Sequence, residues 1–190
     1  IQSSAQLSFD GSVIAIGKQS SGYSGVDGGK IEVYDLNGAG DAWIQRPDVE
    51  WSQIDELFGY VVAISDDGST VAASAPQNDD AGPATNRGAI RIYHYDGSSW
   101  SQLGQTLLGE ENNDQVRQLS LNADGTRVAF GGEWNDDCGG YGCGSVYVYE
   151  YDGSTTWNQM GQDLDGTNIN DRYGTSLILN AAGDRIIIGT

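Results

Sequence analysis

Short apolar runs separated by polar, glycine-bearing segments recur along the chain. Val13-Ile-Ala-Ile16, Val61-Val-Ala-Ile64, Val128-Ala-Phe130 and Ile186-Ile-Ile188 are nearly unbroken, as a strand covered on both faces requires. A second type alternates instead, with Glu32, Arg91, Tyr93, Tyr95, Tyr147 and Tyr149 set among aliphatic residues, which predicts strands nearer a solvated rim. Asp-Gly pairs join several of these runs. Glycine supplies the positive φ of a tight hairpin, so the pattern predicts antiparallel strands and almost no helix.

The runs are in phase. Ser8–Gly17, Ser65–Ser74, Asn122–Gly131 and Asn180–Gly189 align with one another, and their turn glycines Gly11, Gly68, Gly125 and Gly183 lie 57, 57 and 58 residues apart. Trp43, Trp100 and Trp157 repeat at 57 and 57, each followed two positions later by Gln45, Gln102 and Gln159. Ile31-Glu-Val-Tyr34, Ile90-Arg-Ile-Tyr93 and Val146-Tyr-Val-Tyr149 form a third register. In the clearest unit the strands are predicted at 59–65, 70–75, 89–95 and 100–108. A four-stranded antiparallel unit recurring every ~40–60 residues reads as a β-propeller blade. The expectation is an all-β propeller forming a single domain over 1–190, with repeats at about 1–57, 58–114, 115–172 and a partial 173–190. Three full blades and part of another do not close a ring, so the remaining blades are expected outside this chain.

These residues resemble the FG-GAP type of repeat found in integrin α-subunit heads, and more closely the FG-GAP-like repeats of secreted and surface proteins of algae and bacteria. The resemblance rests on Phe58-Gly59, Val61-Val-Ala-Ile64, Ala73-Ser-Ala-Pro76, Tyr173-Gly174 and the Tyr95–Gly104 and Tyr151–Gly161 segments. In the third unit, Gln115-Val116 is read at the Phe-Gly position. The family's calcium sites lie in the loop between first and second strands, and a calcium ion needs roughly six to eight oxygens. Here that loop is Phe9-Asp-Gly11, Asp66-Asp-Gly68, Ala123-Asp-Gly125 or Ala181-Ala-Gly183, too short to wrap an ion. Those Asp residues are read as turn formers, and no cofactor is expected, calcium on the longer acidic loops being the one alternative.

Composition narrows the picture. The chain has 190 residues, 28 Gly, 3 Pro and a formal net charge of −18, so nucleic acid and anionic lipid are repelled at long range. No run approaches the ~20 apolar residues of a membrane-spanning helix. The two cysteines, Cys138 and Cys143, are expected to form a local disulfide, worth roughly 2 kcal/mol by chain entropy and implying an oxidising compartment. The expected location is extracellular or at the cell surface.

Loop lengths separate the two faces. One carries tight turns; the other carries the segments 18–29, 77–88 and 133–144 and the links between blades. Asp79, Asp80, Glu110, Glu111, Asp136 and Asp137 on that second face are the candidate contacts for a protein or glycan partner. A single histidine, His94, offers no Ser–His–acid arrangement, and catalysis is not expected. The sequence therefore points to a non-catalytic extracellular interaction, adhesion or assembly module. A carbohydrate-binding propeller, or a propeller attached to an enzyme elsewhere in the protein, are the alternatives.

Overall fold

The structure is a computed structural model, and it describes residues 4–19, 29–51, 56–79, 86–136 and 138–190. Its ordered elements are all strands. The first sheet holds β1 (Ser4–Leu7), β2 (Val13–Lys18), β3 (Lys30–Leu36), β4 (Trp43–Gln45) and β5 (Val49–Glu50). The second holds β6 (Val62–Ile64), β7 (Thr70–Ala75), β8 (Ala89–Tyr95), β9 (Trp100–Gln102) and β10 (Leu107–Leu108). The third holds β11 (Gln118–Leu121), β12 (Arg127–Gly132), β13 (Ser145–Tyr151), β14 (Trp157–Gln159) and β15 (Leu164–Asp165). A fourth sheet pairs β16 (Ser176–Leu179) with β17 (Ile186–Gly189).

Every pairing between these strands is antiparallel, and the three larger sheets repeat one register: Ile16↔Glu32, Ala73↔Arg91 and Phe130↔Tyr147 stand at the same place in each. The expected fourth strand of each blade is split into two short pieces that both pair with the third strand. In the second sheet the break falls at 103–106, where Gly104 (φ 73°) lies against the indole of Trp157 in the next blade.

Sheets fan about a common line because the innermost strands are neighbours: β1 beside β6, β6 beside β11, β11 beside β16. Their tight turns are stitched into a row across blades. The amide of Phe9 donates to the Asp66 carbonyl (3.1 Å), Asp66 to Ala123 (2.8 Å) and Ala123 to Ala181 (3.0 Å). Within each turn an aspartate accepts from its own neighbours, as Asp67 does from Ser65 Oγ (2.7 Å) and Ser69 N (2.9 Å). The same holds for Asp10 and Asp124, so these carboxylates serve the turn backbone.

The turn glycine has a second role. A Cβ on Gly68 would sit 2.5 Å from Val13 Cγ2, and one on Gly125 would sit 2.7 Å from Thr70 Cβ. Val13 and Thr70 each open the second strand of the preceding blade. The 57-residue recurrence of glycine therefore records how closely each turn approaches the blade before it.

Two apolar layers fill the gaps between the three full sheets. Val13, Ile31, Val33, Phe58, Val62, Val71 and Tyr93 pack between the first and second. Ile90, Ile92, Val116, Leu119, Phe130, Tyr147 and Trp157 pack between the second and third. Trp157 is fully buried and donates from Nε1 to the Leu103 carbonyl of the preceding blade (2.7 Å), and Trp100 does the same to Pro47 (2.9 Å). Trp43, in the first blade, is exposed.

The alternating third strands differ from their expectation. Glu32, Arg91 and Tyr147 are buried rather than facing a solvated rim. Polar partners accompany the burial, although Arg91 Nε is left without a hydrogen bond among the described residues. Arg91 pairs with Glu56 (3.1 Å) and lies 3.6 Å over the Trp51 ring; Asn78 donates to the same Glu56 (2.8 Å). Glu32 accepts from Lys18 (2.6 Å), Lys30 (2.9 Å) and the Tyr34 hydroxyl (3.0 Å). Lys18 is the main cause, with Lys30 and Tyr34 adding, of a Glu32 carboxyl held down at about 2.

Candidate functional site

The long loops and inter-blade links share one face, so the site is sought where they meet the axis. Each link enters its blade through a non-glycine residue of left-handed backbone: Leu57 (φ 57°), Gln115 (φ 48°) and Arg172 (φ 51°). The next residue, Phe58, Val116 or Tyr173, presses on the backbone of Gly29, Gly88 or Gly144 at the start of a third strand. The residue after that donates its amide to the end of the second strand: Gly59 to Ser74 (3.1 Å), Arg117 to Gly131 (3.1 Å) and Gly174 to Gly189 (3.1 Å).

This register corrects the sequence alignment by one residue. Val116-Arg117, and not Gln115-Val116, stands where the other links have Phe58-Gly59 and Tyr173-Gly174. An arginine therefore replaces glycine at the inner corner of the third blade. Arg117 Nη1 meets Glu133 Oε1 at 2.7 Å, Nη2 bonds Gln115 Oε1, and the guanidinium lies 5.8 Å from the Tyr60 ring centre. The Glu133 side chain is 16% exposed and that of Arg117 33%. The pair is thus half-sheltered, where an electrostatic contact is screened less than at the open surface.

Next to it, residues 138–143 are closed by the Cys138–Cys143 disulfide, and 141–143 are zipped to the following link. Asn170 N donates to Tyr141 O (3.3 Å), Arg172 N to Gly142 O (2.9 Å) and Tyr173 N to Cys143 O (2.8 Å). Trp134 packs against Tyr141 with the rings tilted by 31° and their centres 5.3 Å apart, and the Arg172 guanidinium lies 4.3 Å over the Trp134 ring.

The acids singled out from the sequence are dispersed over this face. Asp79 is exposed and accepts from Asn86 N (2.5 Å). Glu110 and Glu111 are exposed on the following link, where the Glu110 carbonyl accepts from Arg87. Asp136 is exposed, and its carbonyl accepts from Gly139 N (3.0 Å). Asp80 and Asp137 lie outside the described residues. Among the described residues no three His, Cys, Asp or Glu side chains converge as metal ligands would. His94 is exposed late in β8, its Nδ1 3.4 Å from Thr70 Oγ1. Arg117, Glu133 and Trp134 were not candidates from the sequence; the departure from glycine at 117 was the available signal, hidden by the one-residue misalignment.

Antiparallel sheets fanning about a shared line, their turn glycines seated against the neighbouring blade, define a β-propeller. Solved propellers match it across 97% of this chain with little sequence identity. They include a periplasmic gluconolactonase of Pseudomonas aeruginosa (18% identity, TM-score 0.59, 48% of that chain) and a protein assigned as a 6-phosphogluconolactonase of Bacteroides uniformis (13%, 0.59, 46%). Hydrazine synthase of Kuenenia stuttgartiensis is a third (16%, 0.60, 48%). This chain thus spans less than half the length of each. No protein-family pattern matches the chain, and no curated protein matches it.

These likenesses correct the expectation of a non-catalytic interaction, adhesion or carbohydrate-binding module. Several of the neighbours carry enzyme names, lactonases among them, so the fold itself gives no ground for excluding catalysis. The physical reason is that one scaffold hosts many unrelated chemistries, so the lack of a catalytic motif in the sequence does not exclude a site assembled by the fold.

Proposed function

We propose that this chain is part of the propeller of an enzyme that opens a lactone, with its site at the axis end of the long-loop face. The observation that carries the reading is Arg117, which stands at a glycine position of the repeat and holds Glu133 at 2.7 Å beside the inner corner. Opening a cyclic ester needs a group that takes a proton from the attacking water and a donor for the developing oxyanion. A carboxylate and a guanidinium side by side can supply both. The lactonase names among the structural neighbours support the same chemistry.

The test is a pH-stat measurement of glucono-δ-lactone opening by the whole protein, against the spontaneous rate. The enzyme is expected to exceed that background, and Glu133→Gln and Arg117→Gly each to lose about 100-fold in kcat. Arg117→Gly restores the residue found at the other links, so its fold should survive. Absence of catalysed opening, or variants as fast as the parent, overturns the reading.

Three finer readings accompany it. The repeats are of the FG-GAP-like kind, supported by Phe58-Gly59 and Tyr173-Gly174 at equivalent links. The protein works outside the reducing cytosol, supported by its disulfide and by the periplasmic location of one structural neighbour. Further blades complete the ring, supported by the exposure of Trp43 and Phe9 on the first blade, whereas Trp100 is partly buried and Trp157 buried in the later ones.

A further inference from the structure

Beside the Arg117–Glu133 pair lies a group of side chains that the hydrolytic reading does not use. Trp134 follows Glu133 directly in the chain, is half-buried, and is flanked by Tyr141 and Arg172. Tyr141 is 59% exposed and Ile169, which reaches Gly140, is 58% exposed. An aromatic ring left so open normally costs little order, because it moves. This one is fixed by a disulfide within its loop and by backbone bonds from Asn170, Arg172 and Tyr173. Such a surface is already ordered for a ligand, and binding loses little further conformational entropy.

Arg172 adds charge. The equivalent link positions hold Leu57 and Gln115 with the same left-handed backbone, so the turn itself does not require a cation. Arg172 has no ion pair among the described residues, in a chain of net charge −18. The neighbouring carboxylate, Asp171, is occupied by Asn168, which donates to it from N (2.9 Å) and Nδ2 (3.0 Å). The guanidinium is exposed and held by the Trp134 face, with its N–H edge available to an anion.

We infer that Trp134, Tyr141 and Arg172 form a substrate subsite for a sugar ring bearing an anionic group, phosphate or carboxylate. The aromatic surface takes the C–H face of the ring and the guanidinium takes the charge. This deepens the lactone-opening reading and rests on it for the identity of the substrate, but it is tested by binding alone.

The experiment is isothermal titration of the whole protein with 6-phosphogluconate, gluconate and glucose, which are not lactones and do not turn over. Both anions are expected to bind at least 10-fold tighter than glucose. Arg172→Gln should abolish that preference, a loss of about 10-fold for the anions. Tyr141→Ala should weaken all three by about 5-fold while Tyr141→Phe retains binding. Circular dichroism and thermal melting check that the exposed-site variants remain folded. No binding by the parent, equal binding of glucose, or variants that bind like the parent overturns the subsite. Anion-selective binding lost in these variants, without any lactone opening, sustains the subsite and sinks the hydrolytic reading. Lactone opening with binding indifferent to Tyr141 and Arg172 does the reverse.

Discussion

Replacing Gly68 by alanine isolates the contact that spaces the blades. Two effects add at this position. Its φ of 70° is left-handed, which costs an L-residue about 1 kcal/mol. A new Cβ would also sit 2.5 Å from Cγ2 and 2.8 Å from Cβ of Val13. Val13 is 4% exposed and β-branched, its Cβ cannot be moved by a rotamer change, and overpacking of this kind costs roughly 1–3 kcal/mol. The expected total is about 2–4 kcal/mol. Gly97 is the internal control: its φ is 97°, and a Cβ there meets nothing within 4 Å. Gly97→Ala should therefore cost about 1 kcal/mol, the backbone part alone. Urea unfolding of the whole protein measures both. Adding Val13→Ala to Gly68→Ala should show a favourable coupling of about 1 kcal/mol, because truncation removes the 2.5 Å contact with Cγ2 and leaves only the one with Cβ. Equal losses at Gly68 and Gly97, or no coupling with Val13, would refute the claim that the repeat glycine is set by blade contact.

Other consequences follow from the same packing. Trp157→Ala should destabilise by about 3–5 kcal/mol and Trp157→Phe by about 1–3, since the second change removes chiefly the donor to the Leu103 carbonyl; denaturant melts separate them. Arg91→Met should cost about 3–5 kcal/mol by stranding buried Glu56, and Glu56→Gln in the same chain should recover most of it. Glu32 has a folded carboxyl at about 2 against an ordinary value of 4.5, so its contribution to stability is complete above about pH 4.5 and is lost as pH falls toward 2. Lys18→Met should raise that folded value and move the acid-unfolding midpoint upward, read by tryptophan fluorescence; an unmoved midpoint would discount the pair.

Local chemistry by itself determined the strands and their recurrence. The apolar runs and Asp-Gly turns placed Thr70–Ala75 and Ala89–Tyr95 where β7 and β8 lie, residue for residue. That succeeds because a hairpin is specified by near neighbours: alternation sets the faces, and glycine sets the turn. Only the tertiary structure decided what the blades bury between them. Alternation at Glu32, Arg91 and Tyr147 reads as a solvated face until tertiary packing covers it, and for Arg91 the polar partner, Glu56, comes from a link 35 residues away. In the second blade the break in the fourth strand is likewise met by Trp157, half a hundred positions beyond Gly104. Arg117 and Glu133 meet because one link turns left-handed at Gln115 and delivers the next two residues to an inner corner, a geometry no run of residue types announces. Periodicity reports which face of a strand is which. What lies opposite that face is set by the closure of long loops, whose partners are far apart in the chain and near only in space.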